Sequence, residues 1–140
     1  IHMGLPIEEV HRRTEEALAA VDMQAFADRP PHRLSLGQKK RVAIATVLSM
    51  GTPLLALDEP SANLDPRSRR EFISLLRALP LTLLVATHDL ALVTYLLPRS
   101  ILMDDGEIIA DGPTPEILGN AALLESHGLE PLSAHGHPHA

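Results

Sequence analysis

The sequence predicts an α/β fold whose sheet is mainly parallel. Two short apolar runs, at residues 54–57 and 81–86, each end in a polar turn that leads into an amphipathic segment. A strand, a turn and a helix that repeat in this order are typical of parallel strands joined by crossover helices. Because binding sites in such sheets lie beyond the carboxyl ends of the strands, we expect the chemistry of this chain in the two turns.

Composition narrows the classes of function. The chain has 140 residues, a formal net charge of −6 and an aromatic content of 2%. This charge argues against sequence-independent binding of nucleic acid, which requires a clustered basic surface, and few side chains are available to stack on bases. The sequence has no cysteine, so neither disulfides nor thiolate metal sites are expected. No apolar run approaches the roughly 18 residues of a membrane span, and no secretory signal is recognisable.

The first part of the chain predicts two helices and a strand. Apolar residues recur at helical spacing from Pro6 to Met23, and Pro30-Pro31 then excludes a helix interior. Ser35 is a candidate N-cap for a second helix over residues 36–50. The run at 54–57 contains only apolar residues, which is typical of a strand buried on both faces.

The later elements have equally local signals. Asp65-Pro66 opens a helix that Pro80 ends, and Asp89 caps the helix after the second apolar run. Asp105-Gly106 predicts a hairpin, because these residues adopt the positive φ angles of a tight turn. Thr114-Pro115 begins a last short helix.

The ends of the chain are expected to stand apart from the fold. Residues 1–3 are typical of a vector remnant before a start codon, and residues 119–140 lose helical periodicity and predict a flexible tail. His135, His137 and His139 in this tail are a hypothetical site for Ni²⁺, Co²⁺ or Zn²⁺. A polar end without a dedicated site is the alternative interpretation.

Two places in the chain have residues suited to phosphate chemistry. Ser35 and Gly37 stand at a predicted helix start, where unpaired N–H groups and the helix dipole attract anions, although an ordinary capped helix has the same pattern. Asp58 follows the first strand and can hold Mg²⁺, and Glu59 can polarise a water for attack on a γ-phosphate. His88, after the second strand, can donate a hydrogen bond to a γ-phosphate oxygen.

Taken together, four segments resemble the motifs of ABC-type ATPases. Residues 34–38 resemble the signature motif and residues 54–59 the Walker B strand with its catalytic glutamate; residues 61–65 resemble the D-loop and 87–89 the switch histidine. Residues 39–45 and the opening Gly4-Leu5-Pro6 are most similar to the ATPase subunits of energy-coupling-factor importers, particularly those for cobalt and nickel.

The resemblance covers residues 4–118 and implies the C-terminal half of an ABC ATPase domain. The implied fold is a partial P-loop NTPase of three α/β layers that lacks the phosphate-loop strand. Its helical part with the signature spans residues 4–50, and its core, from Walker B to the hairpin, spans residues 51–118. In place of the usual glycine the signature has Leu36, and the sequence contains no Gly-x-x-x-x-Gly-Lys.

The resemblance also implies roles for the site residues. Two ABC domains face head to tail, so the signature of one domain contacts the nucleotide held by the other. The implied roles are nucleotide contact in trans for Ser35, Gly37 and Gln38, nucleotide contact in the D-loop for Ser61 and Asp65, Mg²⁺ binding with ATP for Asp58, and catalysis for Glu59 and His88. Without a phosphate loop, we expect this chain alone to bind no cofactor tightly and to be inactive as an ATPase.

The expected partners follow from the same resemblance. They are a second ABC ATPase domain, as a homodimer or heterodimer, and a transmembrane coupling subunit, with the protein peripheral on the inner face of the cell membrane. In the family, the phosphate-loop strand lies between the strand ending at Ala86 and the strand starting at Ile101. We therefore expect the isolated chain to form oligomers or to exchange elements with a second copy.

Two other interpretations remain open at this point. Chromosome-maintenance and DNA-repair ATPases share the signature and Walker B motifs, although they carry long coiled coils and a basic DNA-contacting surface that this acidic sequence lacks. A non-catalytic half-domain that supplies Ser35, Gly37 and Gln38 in trans to an intact ATPase would also have these motifs.

Overall fold

The computed structural model describes residues 4–131 and divides into two compact units, the first ending at Val85 and the second beginning at Ala86. The α-helices in the described part of the chain are α1 (Ile7–Ala20), α2 (Leu36–Ser49), α3 (Pro66–Ala78), α4 (Leu90–Leu96), α5 (Thr114–Leu118) and α6 (Ala121–Ser126), and short 3-10 helices lie at Gln24–Phe26 and Pro31–Arg33. The strands are β1 (Leu54–Asp58), β2 (Thr82–Ala86), β3 (Arg99–Asp104) and β4 (Glu107–Pro113). The α/β class predicted from the sequence is confirmed.

In the first unit, α2 packs against both α1 and α3. The apolar side chains buried there include Val21, Ile44 and Leu76. Arg41 of α2 fixes the loop after α1, because its Nη1 donates to the carbonyl of Val21 at 3.3 Å and pairs with the carboxylate of Asp22 at 3.2 Å. Packing against two helices and the bonds of Arg41 therefore hold α2 in place.

The sheet of the first unit consists of β1 and β2, which are parallel. Leu55 is buried, but Leu54 is 47% exposed and Leu84 is 60% exposed. The prediction that residues 54–57 are buried on both faces is therefore wrong. Exposure alternates along both strands, so Leu55 on one face of β1 is packed, whereas Leu54 on the opposite face is exposed.

In the second unit, β3 and β4 form the antiparallel hairpin that the sequence predicts. Asp105 and Gly106 make its turn with φ angles of 46° and 81°, as expected for a tight turn between strands. Among the described residues, each sheet contains only two strands. The mainly parallel sheet is thus limited to β1 and β2, since no phosphate-loop segment is present in the sequence to extend it.

The structure corrects the prediction of a tail from residue 119. Residues 121–126 form α6, whose N-cap Asn120 accepts a hydrogen bond from the N–H of Leu123 at 3.1 Å. Leu124 is fully buried, so packing stabilises a helix too short for sequence periodicity to reveal. His135, His137 and His139 lie outside the described residues.

Candidate functional site

The first turn of α2 is organised by a reciprocal cap. The N–H of Gln38 donates to Ser35 Oγ at 3.2 Å, and the N–H of Ser35 donates to Gln38 Oε1 at 2.9 Å. This arrangement satisfies two of the backbone donors at the helix start and fixes both side chains. Because Ser35 Oγ acts as the acceptor, its own hydroxyl hydrogen can still be donated to a ligand.

Two further amides, between the capping residues, are those that an anion at this helix start would contact. Leu36 and Gly37 occupy the first two helical positions, where an N–H has no carbonyl one turn earlier to bond. A Cβ added to Gly37 would lie 3.7 Å from Ser68 Cβ, which is an ordinary contact. Packing therefore does not demand glycine here, whereas close approach of a phosphate to the backbone would.

The second part of the site is the turn after β1. Asp58 is the last residue of the strand and is exposed, and Glu59 follows it with a φ of 41°. A non-glycine residue in the left-handed region costs free energy and is found disproportionately at active sites. Pro60 and Ser61 behind it are buried, so the turn is anchored in the protein while Asp58 faces outward.

The donor set at this turn suits a magnesium ion. Asp58 supplies carboxylate oxygens at a strand end, and Glu59 is its immediate neighbour. Hard oxygen ligands are those that Mg²⁺ prefers, and the ion usually keeps several waters beside one or two carboxylates and substrate phosphates. The oxygen donors present therefore suit Mg²⁺, although the described residues contain no cluster of three or more His, Cys, Asp or Glu side chains that could hold a metal ion. Mg²⁺ binding by Asp58 stays a prediction.

Lys40 is a site residue that the sequence interpretation missed. Its Nζ donates to the carbonyl of Pro60 at 2.8 Å, so α2 is bonded directly to the Asp58–Pro60 turn. A groove of about 270 Å³ lies beside this bond, and it is lined by Lys40, Ala43, Ile44, Val47, Leu55, Ala56, Leu57, Asp58, Pro60 and Phe72. One sequence feature could have revealed it: Lys40 lies at helical spacing from Ile44 and Val47, on the apolar face of α2.

Asp65 has a structural contact that accounts for much of its environment. Its Oδ1 accepts hydrogen bonds from the N–H groups of Arg67 and Ser68, each at 3.0 Å, and so caps α3. Hydrogen bonds from the side chain and backbone of Ser68 lower the pKa of the Asp65 carboxyl. The predicted helix start is confirmed, and the contact of Asp65 and Ser61 with nucleotide stays a prediction.

His88 belongs to the second unit, between β2 and α4. It is exposed, and the chain on either side of it is fixed: the N–H of Asp89 donates to Thr87 Oγ1 at 3.1 Å, and Asp89 Oδ1 accepts from the N–H of Leu92 at 3.0 Å. The structure thus brings Ser35, Gly37 and Gln38 together at one helix start, and Asp58 and Glu59 at one turn. The role of His88 stays a prediction.

A parallel strand that ends beside two carboxylates, followed by a crossover helix and a second strand, is the arrangement of a partial P-loop NTPase fold. Over residues 4–94 the chain matches the family model described as "AAA domain, putative AbiEii toxin, Type IV TA system". It is 50% identical over 127 residues to a Streptomyces coelicolor protein named "Putative ABC transporter ATP-binding protein", a match that covers 91% of this chain and 49% of that protein.

Two further comparisons also match proteins of transporters. The chain is 41% identical over 139 residues to the "Energy-coupling factor transporter ATP-binding protein EcfA" of Methanocaldococcus jannaschii, covering 96% of this chain and 50% of that protein. A solved structure of cbiO1 from Clostridium perfringens, described as part of the ABC transporter complex cbiONQ, is similar with a TM-score of 0.77 and 38% identity, over 89% of this chain and 51% of that one.

The chain belongs to the ABC transporter ATP-binding proteins, within the P-loop NTPases. It spans about half the length of the curated relatives it matches. Among the described residues, no helix is both long enough and apolar enough to cross a membrane.

Proposed function

We propose that this chain is the signature-bearing half of the ATP-hydrolysing subunit of an energy-coupling-factor importer, which takes up cobalt or nickel ions. The observation that carries the proposal is the turn after β1, where Asp58 and Glu59 stand together and Glu59 keeps a φ of 41°. A strained, anchored turn with two carboxylates suits phosphoryl transfer to water. The resemblance of residues 39–45 to cobalt and nickel importers supports the choice of cargo.

The residues of this chain would contribute to two separate sites, each of which converts ATP and water to ADP and phosphate. At the site of its own domain, Glu59 would orient the attacking water and accept its proton, and His88 would donate a hydrogen bond to the γ-phosphate. Asp58 would hold Mg²⁺, which when bound neutralises charge on the phosphates. The helix start at Ser35, Gly37 and Gln38 would instead contact the nucleotide of a second ATPase domain.

This division implies the partners. A second ABC ATPase domain is needed to complete each site, and a transmembrane coupling subunit would convert the closure of the pair into transport at the cytoplasmic face of the membrane. The relatives named above support these kinds of partner, since one is an energy-coupling-factor transporter protein and another is part of a transporter complex. The chain alone lacks a phosphate loop and would not turn ATP over.

The proposal is tested by steady-state ATP hydrolysis in the complete subunit that contains this chain. We expect Glu59→Gln to lower kcat by roughly 10²- to 10⁴-fold, the usual contribution of a positioned general base. Glu116→Gln, which removes the same charge from an exposed position on α5, serves as the matched control and should leave kcat unchanged. Equal activity of the two variants would contradict the proposal, and uptake of labelled cobalt or nickel by the assembled importer tests the cargo.

A further inference from the structure

One side chain joins the two places where phosphate chemistry is expected. The ammonium group of Lys40 donates to the carbonyl of Pro60 at 2.8 Å, and this bond is partly shielded from water. Lys40 belongs to α2, whose first turn contains Ser35 and Gly37, whereas Pro60 directly follows Glu59. The bond therefore spans from the helix that presents the signature residues to the turn that presents the carboxylates.

The turn that Lys40 contacts has an unfavourable backbone conformation. Glu59 has a φ of 41°, a conformation that persists only where the surroundings enforce it. Within the turn itself, the N–H of Ala62 donates to the carbonyl of Glu59 at 3.2 Å, a bond near the long end of the usual range. The charged donor of Lys40 makes a stronger and shorter bond to the next carbonyl along the chain.

Gly37 and Lys40 are close enough on α2 for a displacement of the helix start to reach the Lys40 ammonium group. Gly37 and Lys40 are three residues apart in one α-helix, so they rise by roughly 4.5 Å along its axis and move as one rigid element. Arg41, next in sequence, ties the same helix to the loop after α1 through Val21 and Asp22. A shift of the helix start would therefore carry the Lys40 anchor with it.

We propose that Lys40 is a positioning residue that holds the Glu59 turn in its active conformation and couples it to the signature turn of α2. The inference rests on the proposed function. It predicts that binding of a nucleotide at Ser35 and Gly37 stabilises the arrangement of Asp58 and Glu59 in the same chain. Lys40 itself would touch neither substrate nor cofactor.

The variant Lys40→Met tests the inference, because it keeps the length of the apolar stem and removes only the donor. Lys39→Met is the matched control, since Lys39 is the exposed neighbour on the same helix. In the complete subunit we expect Lys40→Met to lower kcat by about 10- to 100-fold, the effect of a small misplacement of a catalytic group, with KM for ATP changed less than about twofold. Lys40→Arg, which keeps a charged donor, should restore most of kcat.

A second measurement separates this inference from the proposed function. Hydrogen exchange on the 140-residue chain reports the Ala62 amide, which bonds to the Glu59 carbonyl. We expect Lys40→Met, but not Lys39→Met, to speed exchange at Ala62 by at least about tenfold beyond any change in global stability. Unchanged exchange, or a kcat equal to that of Lys39→Met, would overturn the inference. Wild-type protein without ATPase activity would instead overturn the proposed function, and exchange at Ala62 would still decide whether Lys40 holds the turn.

Discussion

Glu59 combines a predicted catalytic role with an unfavourable backbone conformation. At a φ of 41° the backbone of a residue with a Cβ atom is strained, whereas glycine adopts this conformation freely. The strain is borne by a residue whose carboxylate stands at the end of β1, where a water-activating base is expected. Stability is thus given up at the position where the proposed reaction would require a carboxylate.

This strain gives a prediction for the isolated chain. Glu59→Gly and Glu59→Ala both remove the carboxylate, so their difference isolates the backbone. We expect the glycine variant to have the higher free energy of unfolding by about 1 kcal/mol, because only glycine relaxes at this φ. Urea denaturation measures the difference. Ala62→Gly changes a residue of the same turn that has no positive φ, and it should lower the free energy of unfolding by a similar amount. If the glycine variant were less stable than the alanine variant at position 59 as well, the assignment of strain to Glu59 would be contradicted.

Gly37 gives the opposite prediction. A Cβ there would lie 3.7 Å from Ser68 Cβ, and alanine favours a helix, so Gly37→Ala should leave the free energy of unfolding equal or raise it by up to about 1 kcal/mol. In the complete subunit we expect the same change to weaken ATP turnover, because the proposed phosphate contact requires close approach to the backbone at Gly37. Gly119→Ala is the control, since its Cβ would lie 2.7 Å from the carbonyl of Pro115 and should destabilise the chain. A destabilised Gly37→Ala would show that packing, rather than a ligand, requires glycine.

At the residue level, sequence alone predicted the groups with local signals and missed those that act across space. Ser35 and Asp65 stand directly before their helices, and both proved to be caps. Lys40 and Pro60 are distant in sequence, so no local sequence pattern predicts their hydrogen bond. The positive φ of Glu59 was equally invisible, since no glycine or asparagine marks that position.

At the scale of elements, α1 has a network of charges on one face. Arg12 Nε donates to Glu9 Oε2 at 2.8 Å and Arg13 Nε donates to Glu9 Oε1 at 2.6 Å. Hydrogen bonds from Arg12 and then Arg13 lower the pKa of Glu9 to about 2, from an ordinary value of about 4.5. Glu9 also lies in the first turn of the helix, where the dipole favours a negative charge.

The lowered pKa predicts how acid affects this helix. A carboxyl whose pKa is lower in the folded chain adds stability above its unfolded value, and this contribution is lost as pH falls from about 4.5 to about 2. Glu9→Gln should therefore be less stable than wild type at pH 6, and the two should converge toward pH 2. Denaturation measured across this range, at low and high salt, checks the prediction. A difference that does not change with pH would contradict it.

The elements themselves were largely predictable because their signals are local. Prolines, capping residues and the Asp105-Gly106 turn mark the ends of most helices and strands, close to the ends that the structure shows. Burial was predicted less well, since it depends on what packs against an element. The apolar run of β1 indicated two covered faces, yet Leu54 is 47% exposed. The helix α6 escaped notice because one buried residue, Leu124, stabilises it rather than a repeating pattern.

At the scale of the whole molecule, the exposed apolar side chains of the β1–β2 sheet predict self-association. Leu54 and Leu84 are 47% and 60% exposed, and strands with open edges pair readily with another chain. We expect light scattering to show dimers or larger species of the isolated chain, and Leu84→Glu to shift them toward monomer. Ile7→Glu, at a similarly exposed apolar position on α1, is the control and should change little. A monomeric wild-type chain would contradict this prediction.

We propose that Ser35 and the Asp58–Glu59 turn serve two different ATP sites, and that each site needs residues from outside this chain. Calorimetric titration of the isolated 140-residue chain with a non-hydrolysable ATP analogue and Mg²⁺ tests this most directly. We predict no saturable binding in the micromolar range, because a helix start and a carboxylate turn do not cradle a triphosphate without a phosphate loop. Micromolar binding to the wild-type chain that is lost in Asp58→Ala would contradict this division, since it would place a complete nucleotide site within these residues.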